Sequence, residues 1–86
     1  MSGTVSFLSQ PGCHLCSDAL PSVRSLCLML GIGLVEVDIN SSVELVQEFA
    51  LRIPVVTDPE GFVLAEGIIQ KRALRKALKR YRRRIK

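Results

Sequence analysis

Two cysteines, Cys13 and Cys16, stand three positions apart in the run Ser9-Gln10-Pro11-Gly12-Cys13-His14-Leu15-Cys16. A Pro-Gly turn precedes them and an apolar-periodic segment follows. If that segment is a helix, Cys13 stands at its N-terminus. Unpaired backbone N–H groups and the helix dipole there favour an anion, here a thiolate. The spacing also lets both sulfurs meet within one helical turn, as thiol–disulfide exchange requires. His14, when protonated, would favour the thiolate and make the pair more oxidising. Read alone, His14 is equally a solvated residue at a helix start. The same spacing occurs in zinc sites, but those need about four ligands and the only other cysteine, Cys27, belongs to an apolar helical stripe. A third reading takes the pair as small core hydrophobes.

The elements that must position the pair follow from patterning. Thr4-Val5-Ser6-Phe7-Leu8 reads as a strand and Ser9–Gly12 as the turn that ends it. From Cys13 to Leu30 the apolar residues Leu15, Ala19, Leu20, Val23, Leu26, Cys27 and Leu30 recur every three or four positions, one face of a helix. Pro21 should kink that helix, and the stripe continues through it in phase. Gly31 stops it. Gly33–Ile39 is a second strand. Asn40 or Ser41 can cap a helix running to about Leu51, and Ser41 with Glu44 has capping-box spacing. Ile53-Pro54-Val55-Val56-Thr57 reads as a strand, Asp58-Pro59-Glu60-Gly61 as a tight turn, and Phe62–Glu66 as the other arm of a hairpin. From about Ile68 a last helix carries Leu74, Leu78 and Tyr81 on one face.

The order is β-α-β-α-β-β-α. It predicts an α/β protein with one four-stranded mixed sheet flanked by three helices: a parallel, right-handed β-α-β unit followed by an antiparallel hairpin. A single domain over residues 1–86, with a basic C-terminal helix or tail over 71–86, accounts for the whole chain. Pro54 is unusual within a strand, because proline donates nothing to the ladder. A proline at the strand's start, in a cis peptide, resolves this. The plainer reading is that Pro54 ends the preceding helix.

With the cysteine pair at the first strand-to-helix junction, this is the order of the thioredoxin fold in its short form. Cys13-His14-Leu15-Cys16, Ile53-Pro54-Val55 and that order together resemble the glutaredoxins. The chain is more closely similar to small glutaredoxin-like proteins with a C-H-L-C site, a V-D-I stretch (here Val37-Asp38-Ile39) and an R-hydrophobic-P-V segment (here Arg52-Ile53-Pro54-Val55). The resemblance spans roughly residues 4–80. It implies Cys13 as nucleophile, Cys16 as resolving thiol and His14 between them. It also implies a cis Pro54, and a substrate site beside Ile53, Pro54, Val55, Gly12 and Gly67. Glutathione is a candidate co-substrate, and no resident cofactor is expected. The chain departs from typical glutaredoxins where glutathione is gripped. Ser9 and Gln10 replace a basic residue, Leu15 an aromatic, and Ala65-Glu66-Gly67-Ile68-Ile69 a Gly-Gly then Asp segment.

Charge is unevenly distributed. Residues 1–70 hold all eight acidic side chains and only Arg24 and Arg52, a charge of −6; residues 71–86 hold ten Lys/Arg and no acid, +10. A solvated helix face would explain this, with cations well placed near a helix C-terminus. The sharper reading is a patch for an acidic partner. Tyr81 alone gives no stacking platform, so nucleic acid is not the expected partner. No run approaches the roughly 18 apolar residues of a membrane span, and the first residues lack a signal-peptide pattern. A cytoplasmic monomer acting on a disulfide-containing protein or small thiol is expected, and three cysteines fit a reducing compartment. Two other functional classes remain: an iron–sulfur or metal-binding module using the cysteine pair, and a non-enzymatic adaptor whose tail binds a polyanion.

Overall fold

The computed structural model describes residues 3–85. Strand β1 (Thr4–Ser9) leads into helix α1 (His14–Leu30), then β2 (Gly33–Asp38), α2 (Val43–Phe49), β3 (Val55–Thr57), β4 (Val63–Glu66) and α3 (Lys71–Arg84). The sheet order is β2-β1-β3-β4. β1 and β2 are parallel, while β3 is antiparallel to both β1 and β4. The expected α/β thioredoxin-like architecture is therefore present.

Strand alternation sorts the core onto two faces. Val5 and Phe7 of β1 and Val56 of β3 point to one face and pack against Cys16, Val23, Leu26, Cys27, Leu74, Leu78 and Tyr81 of α1 and α3. Leu8 and Val55 point to the other, where Ile39 and the α2 residues Leu45, Val46 and Phe49 cover them. The first layer is the thicker one, and α2 contributes no fully buried residue. Each fully buried Leu or Phe stabilises the fold by roughly 1.5–3 kcal/mol. The two-helix face therefore supplies most of the stability.

Helix α1 runs unbroken through Pro21, whose ring lies exposed on its outer side. The missing N–H is thus lost at the solvent face, where water can serve the carbonyl one turn back. Gly31 closes the helix in the left-handed conformation, and the Ile32 N–H donates to the Cys27 carbonyl at 2.9 Å.

Three boundaries differ from the sequence expectation. The cap of α2 is Ser42, not Asn40 or Ser41. Ile39–Ser41 instead winds into a 3₁₀ turn capped by Asp38, whose carboxylate accepts the Asn40 N–H at 2.9 Å. Ser42 Oγ accepts from the Leu45 N–H at 3.3 Å and donates to Glu44 at 2.9 Å, so the Ser41–Glu44 capping box is not made. Strand β3 begins at Val55, leaving Ile53 and Pro54 in the loop before it. α3 begins at Lys71 rather than Ile68, because Gly67 turns the chain at φ 68° and Gln70 is extended.

The hairpin turn is held by Asp58, which is 5 % exposed. Its Oδ1 accepts the Glu60 and Phe62 N–H groups at 2.9 and 3.0 Å, and Arg84 reaches Oδ2 at 3.4 Å. At the same end of the sheet, the Tyr81 hydroxyl donates to the Thr4 carbonyl. α3 is thereby tied at its C-terminal end to both β1 and the hairpin.

Candidate active site

The turn before α1 builds the site. Gly12 adopts φ 86°, and the Cys13 N–H then bonds back to the Gln10 carbonyl at 3.2 Å. This delivers Cys13 to the N-cap of α1 with extended dihedrals, where its sulfur accepts the Cys16 N–H at 3.1 Å. A cysteine sulfur thus takes the role usually filled by a Ser or Asp oxygen. Nothing lies within 4 Å of a Cβ placed on Gly12. Gly12→Ala therefore meets no clash and pays only for the left-handed backbone, roughly 1–2 kcal/mol. An unfolding free energy lowered by that amount in a urea titration is the expected result; an unchanged value would show that the turn does not depend on glycine.

Cys13 and Cys16 are joined as a disulfide, with Cα atoms 5.2 Å apart. Their exposure is unequal. Cys13 is half-buried at the surface, whereas Cys16 is 4 % exposed beneath it. His14 and Leu15 between them are exposed. Cys27 lies apart, in the core at 2 % exposure, where burial pushes its thiol pKa up and keeps it in the neutral, unreactive form. Among the described residues no group of three or more His, Cys, Asp or Glu side chains is placed to hold a metal ion.

Cys13 opens onto a shallow cleft of about 320 Å³ lined also by Gln10, Pro11, Gly12, Ala50 and Ile53. Of the residues expected around a substrate, Gly12 and Ile53 thus lie beside Cys13. The Ile53–Pro54 peptide is cis. Three further details concern this loop. The Pro54 and Val55 side chains are buried, Val55 in the core under α2, so neither side chain reaches the cleft. The Gly67 N–H is already committed, donating to the Pro54 carbonyl at 2.8 Å and the Arg52 carbonyl at 3.1 Å. The Ile53 N–H is also in use, bonded to the Phe49 carbonyl at 3.1 Å. Among the described residues no loop N–H takes up the Ile53 carbonyl.

Arg52, not singled out in the sequence, locks this loop. Its guanidinium donates to Glu66 on β4 at 3.0 and 3.2 Å and to Glu48 on α2 at 2.8 Å. The hydrogen bond to Glu66 raises the Arg52 pKa, and the same bond lowers that of Glu66. The guanidinium also stacks over Phe49 at 5.0 Å. One cation between two carboxylates leaves this corner net negative. The signal in the sequence was faint: Glu48 and Arg52 are four apart, but Glu66 is fourteen residues away. Large apolar side chains are exposed close in sequence to the cleft and loop residues: Leu15, Leu51 after Ala50, and Ile68 after Gly67.

A four-stranded β2-β1-β3-β4 sheet, a cysteine pair at the start of α1 and a cis proline before β3 define a protein of the thioredoxin fold. The family model described as glutaredoxin-like domain (DUF836) matches residues 4–82. The chain belongs to that glutaredoxin-like family. Among solved structures, the fold is shared with protein XcR50 from X. campestris at 24 % identity and TM-score 0.73, covering 88 % of this chain and 96 % of that one. Protein Ne2328 from Nitrosomonas europaea matches at 21 % identity and TM-score 0.72, covering 86 % and 88 %. Thioredoxin 1 from Thermosipho africanus TCF52B matches at 17 % identity and TM-score 0.67, covering 91 % and 92 %. No match to a curated protein was found. No helix among the described residues is long and apolar enough to cross a membrane.

Proposed function

We propose that this chain is a thiol–disulfide oxidoreductase acting through Cys13 and Cys16. The observation that carries the reading is the asymmetry of the pair: bonded sulfurs at the N-terminus of α1, one open to a cleft and the other buried. In the reduced protein the Cys13 thiolate, facing the Cys16 N–H, attacks one sulfur of a substrate disulfide. An S–S bond forms between Cys13 and that sulfur, and the other substrate sulfur leaves as a thiolate that takes a proton from water. The Cys16 thiolate then attacks the Cys13 sulfur, forming the internal disulfide and releasing the second substrate thiol. The substrate gains two electrons and the cysteine pair loses them. An external thiol reductant restores the pair. In this reading His14, exposed and next in sequence to Cys13, adds positive charge near the thiolate in its imidazolium form.

The surroundings favour a protein disulfide over glutathione. Glutathione carries two carboxylates and one ammonium. The cation beside the loop, Arg52, is held between Glu48 and Glu66. What the neighbouring segments offer instead is exposed apolar area on Leu15, Leu51 and Ile68, and the Ile53 carbonyl as an acceptor for an extended chain. The test is reduction of insulin by dithiothreitol with the protein as catalyst. The wild type accelerates it and Cys13→Ser returns it to the uncatalysed rate. A Cys13→Ser protein as active as the wild type would sink the proposal. A glutathione mixed disulfide turned over faster than insulin would overturn the preference.

A further inference from the structure

A groove of about 550 Å³ runs between α1 and α3, separate from the cleft at Cys13. Its wall is a row of cations on α3, Lys71, Arg72, Arg75, Lys76 and Lys79, and Leu26 and Met29 of α1 line the opposite side. Lys71 to Lys79 spans eight helical rises, so the row is about 12 Å long. Among the described residues none of the five pairs with a carboxylate, and the ion pairs formed there involve Arg24, Arg52 and Arg84. Met29 is 69 % exposed and Leu28 beside it 85 % exposed. Five unneutralised cations against an apolar wall exceed what solubility asks of a helix face.

We propose that this groove docks an acidic amphipathic helix of a partner protein. The cations repeat at the i, i+4 spacing, as Arg72 with Lys76 and Arg75 with Lys79, so carboxylates one turn apart on a facing helix meet them in register. The apolar stripe of that helix lies on Met29, with Leu26, 3 % exposed, forming the floor beneath it. Charge complementarity steers the encounter, and the buried apolar contact holds it. Two other polyanions fit less well. An anionic bilayer needs an apolar face to enter it, and the stripe of α3, Leu74, Leu78 and Tyr81, is already buried in the core. A single-stranded nucleic acid needs stacking platforms, and the groove has no aromatic side chain; a duplex would meet the cations through its phosphates and leave the apolar Met29 unused.

The test uses a synthetic helical peptide with glutamates four apart and a leucine stripe, titrated by fluorescence anisotropy. The controls are a scrambled peptide of the same composition, a 20-base-pair DNA duplex and phosphatidylserine vesicles. The patterned peptide binds tightest. Arg75→Glu with Lys76→Glu weakens it tenfold or more, and Met29→Ala weakens it severalfold at unchanged charge. The milder Lys76→Gln with Lys79→Gln pair serves if the charge reversal disturbs folding, with circular dichroism as the control. Equal affinity for the scrambled peptide, tighter binding of duplex or vesicles, or indifference to both the charge and the Met29 variants overturns the proposal. None of these measurements involves exchange at Cys13, so this docking and the oxidoreductase reading stand or fall separately.

Discussion

Cys16→Ser is expected to hold a substrate on Cys13 as a lasting mixed disulfide, and Cys13→Ser to hold none. The reason is proximity. In the wild type the second thiol lies one helical turn away, and well-oriented intramolecular attack corresponds to effective concentrations of about 10⁵ M or more. Without it, release depends on an external thiol at millimolar levels, so resolution slows by up to about 10⁸-fold, the ratio of the two concentrations. A convenient reading is the thionitrobenzoate adduct formed with Ellman's reagent. On Cys16→Ser it persists and shows as an added mass on the intact protein; on the wild type it is expelled at once by internal closure. Cys13→Ser leaves only the buried Cys16 and Cys27, at 4 % and 2 % exposure, so it labels slowly until unfolded. Equal trapping by both variants would mean that the roles are not separated as the burial suggests.

The second large effect is on stability. Phe7 is 1 % exposed in the middle of β1, on the face packed by α1 and α3, and its strand neighbours across the sheet are Glu36 and Val56. Phe7→Ala removes that packing and leaves a cavity that these helices cannot readily close, because both are fixed at their C-terminal ends. α1 is held there by the Gly31 turn and α3 by Tyr81 and Arg84. The expected cost is about 3–5 kcal/mol. A chain of this size has a total of roughly 4–13 kcal/mol. A large drop in the thermal midpoint, or a chain partly unfolded at room temperature, is therefore expected by circular dichroism. Val43→Ala on α2, where the side chain is 68 % exposed, should change little. A loss at Val43 as large as that at Phe7 would mean that burial of the side chain does not set the cost.

Much of the scaffold could be read in advance because it rests on local signals. The helical period through Leu26, Cys27 and Leu30, the turn residues Asp58–Gly61 and the left-handed stop at Gly31 each act within a few residues of themselves. Boundaries were less legible. Asn40, Ser41 and Ser42 are all able to cap a helix, and the choice of Ser42 follows from Asp38 folding the three residues before it into a 3₁₀ turn. The start of α3 slipped because Ile69 packs on the core and holds the chain extended as far as Gln70.

By itself the sequence determined the order of elements, the asymmetric distribution of charge, and the meeting of Cys13 and Cys16 at a helix start. Each of these is a matter of spacing along one chain. Only the tertiary structure decided what surrounds them. It brought Ile53, forty residues away in sequence, to the rim of Cys13 and turned Val55 into the core. It used the Gly67 N–H to hold the Pro54 loop and bound Arg52 between two carboxylates. It laid the cations of α3 alongside Met29, where a charged tail becomes one wall of a groove. The physical reason is common to all four. These groups are brought together by the packing of helices and strands on the sheet, and the distances between them exist only after that packing has formed.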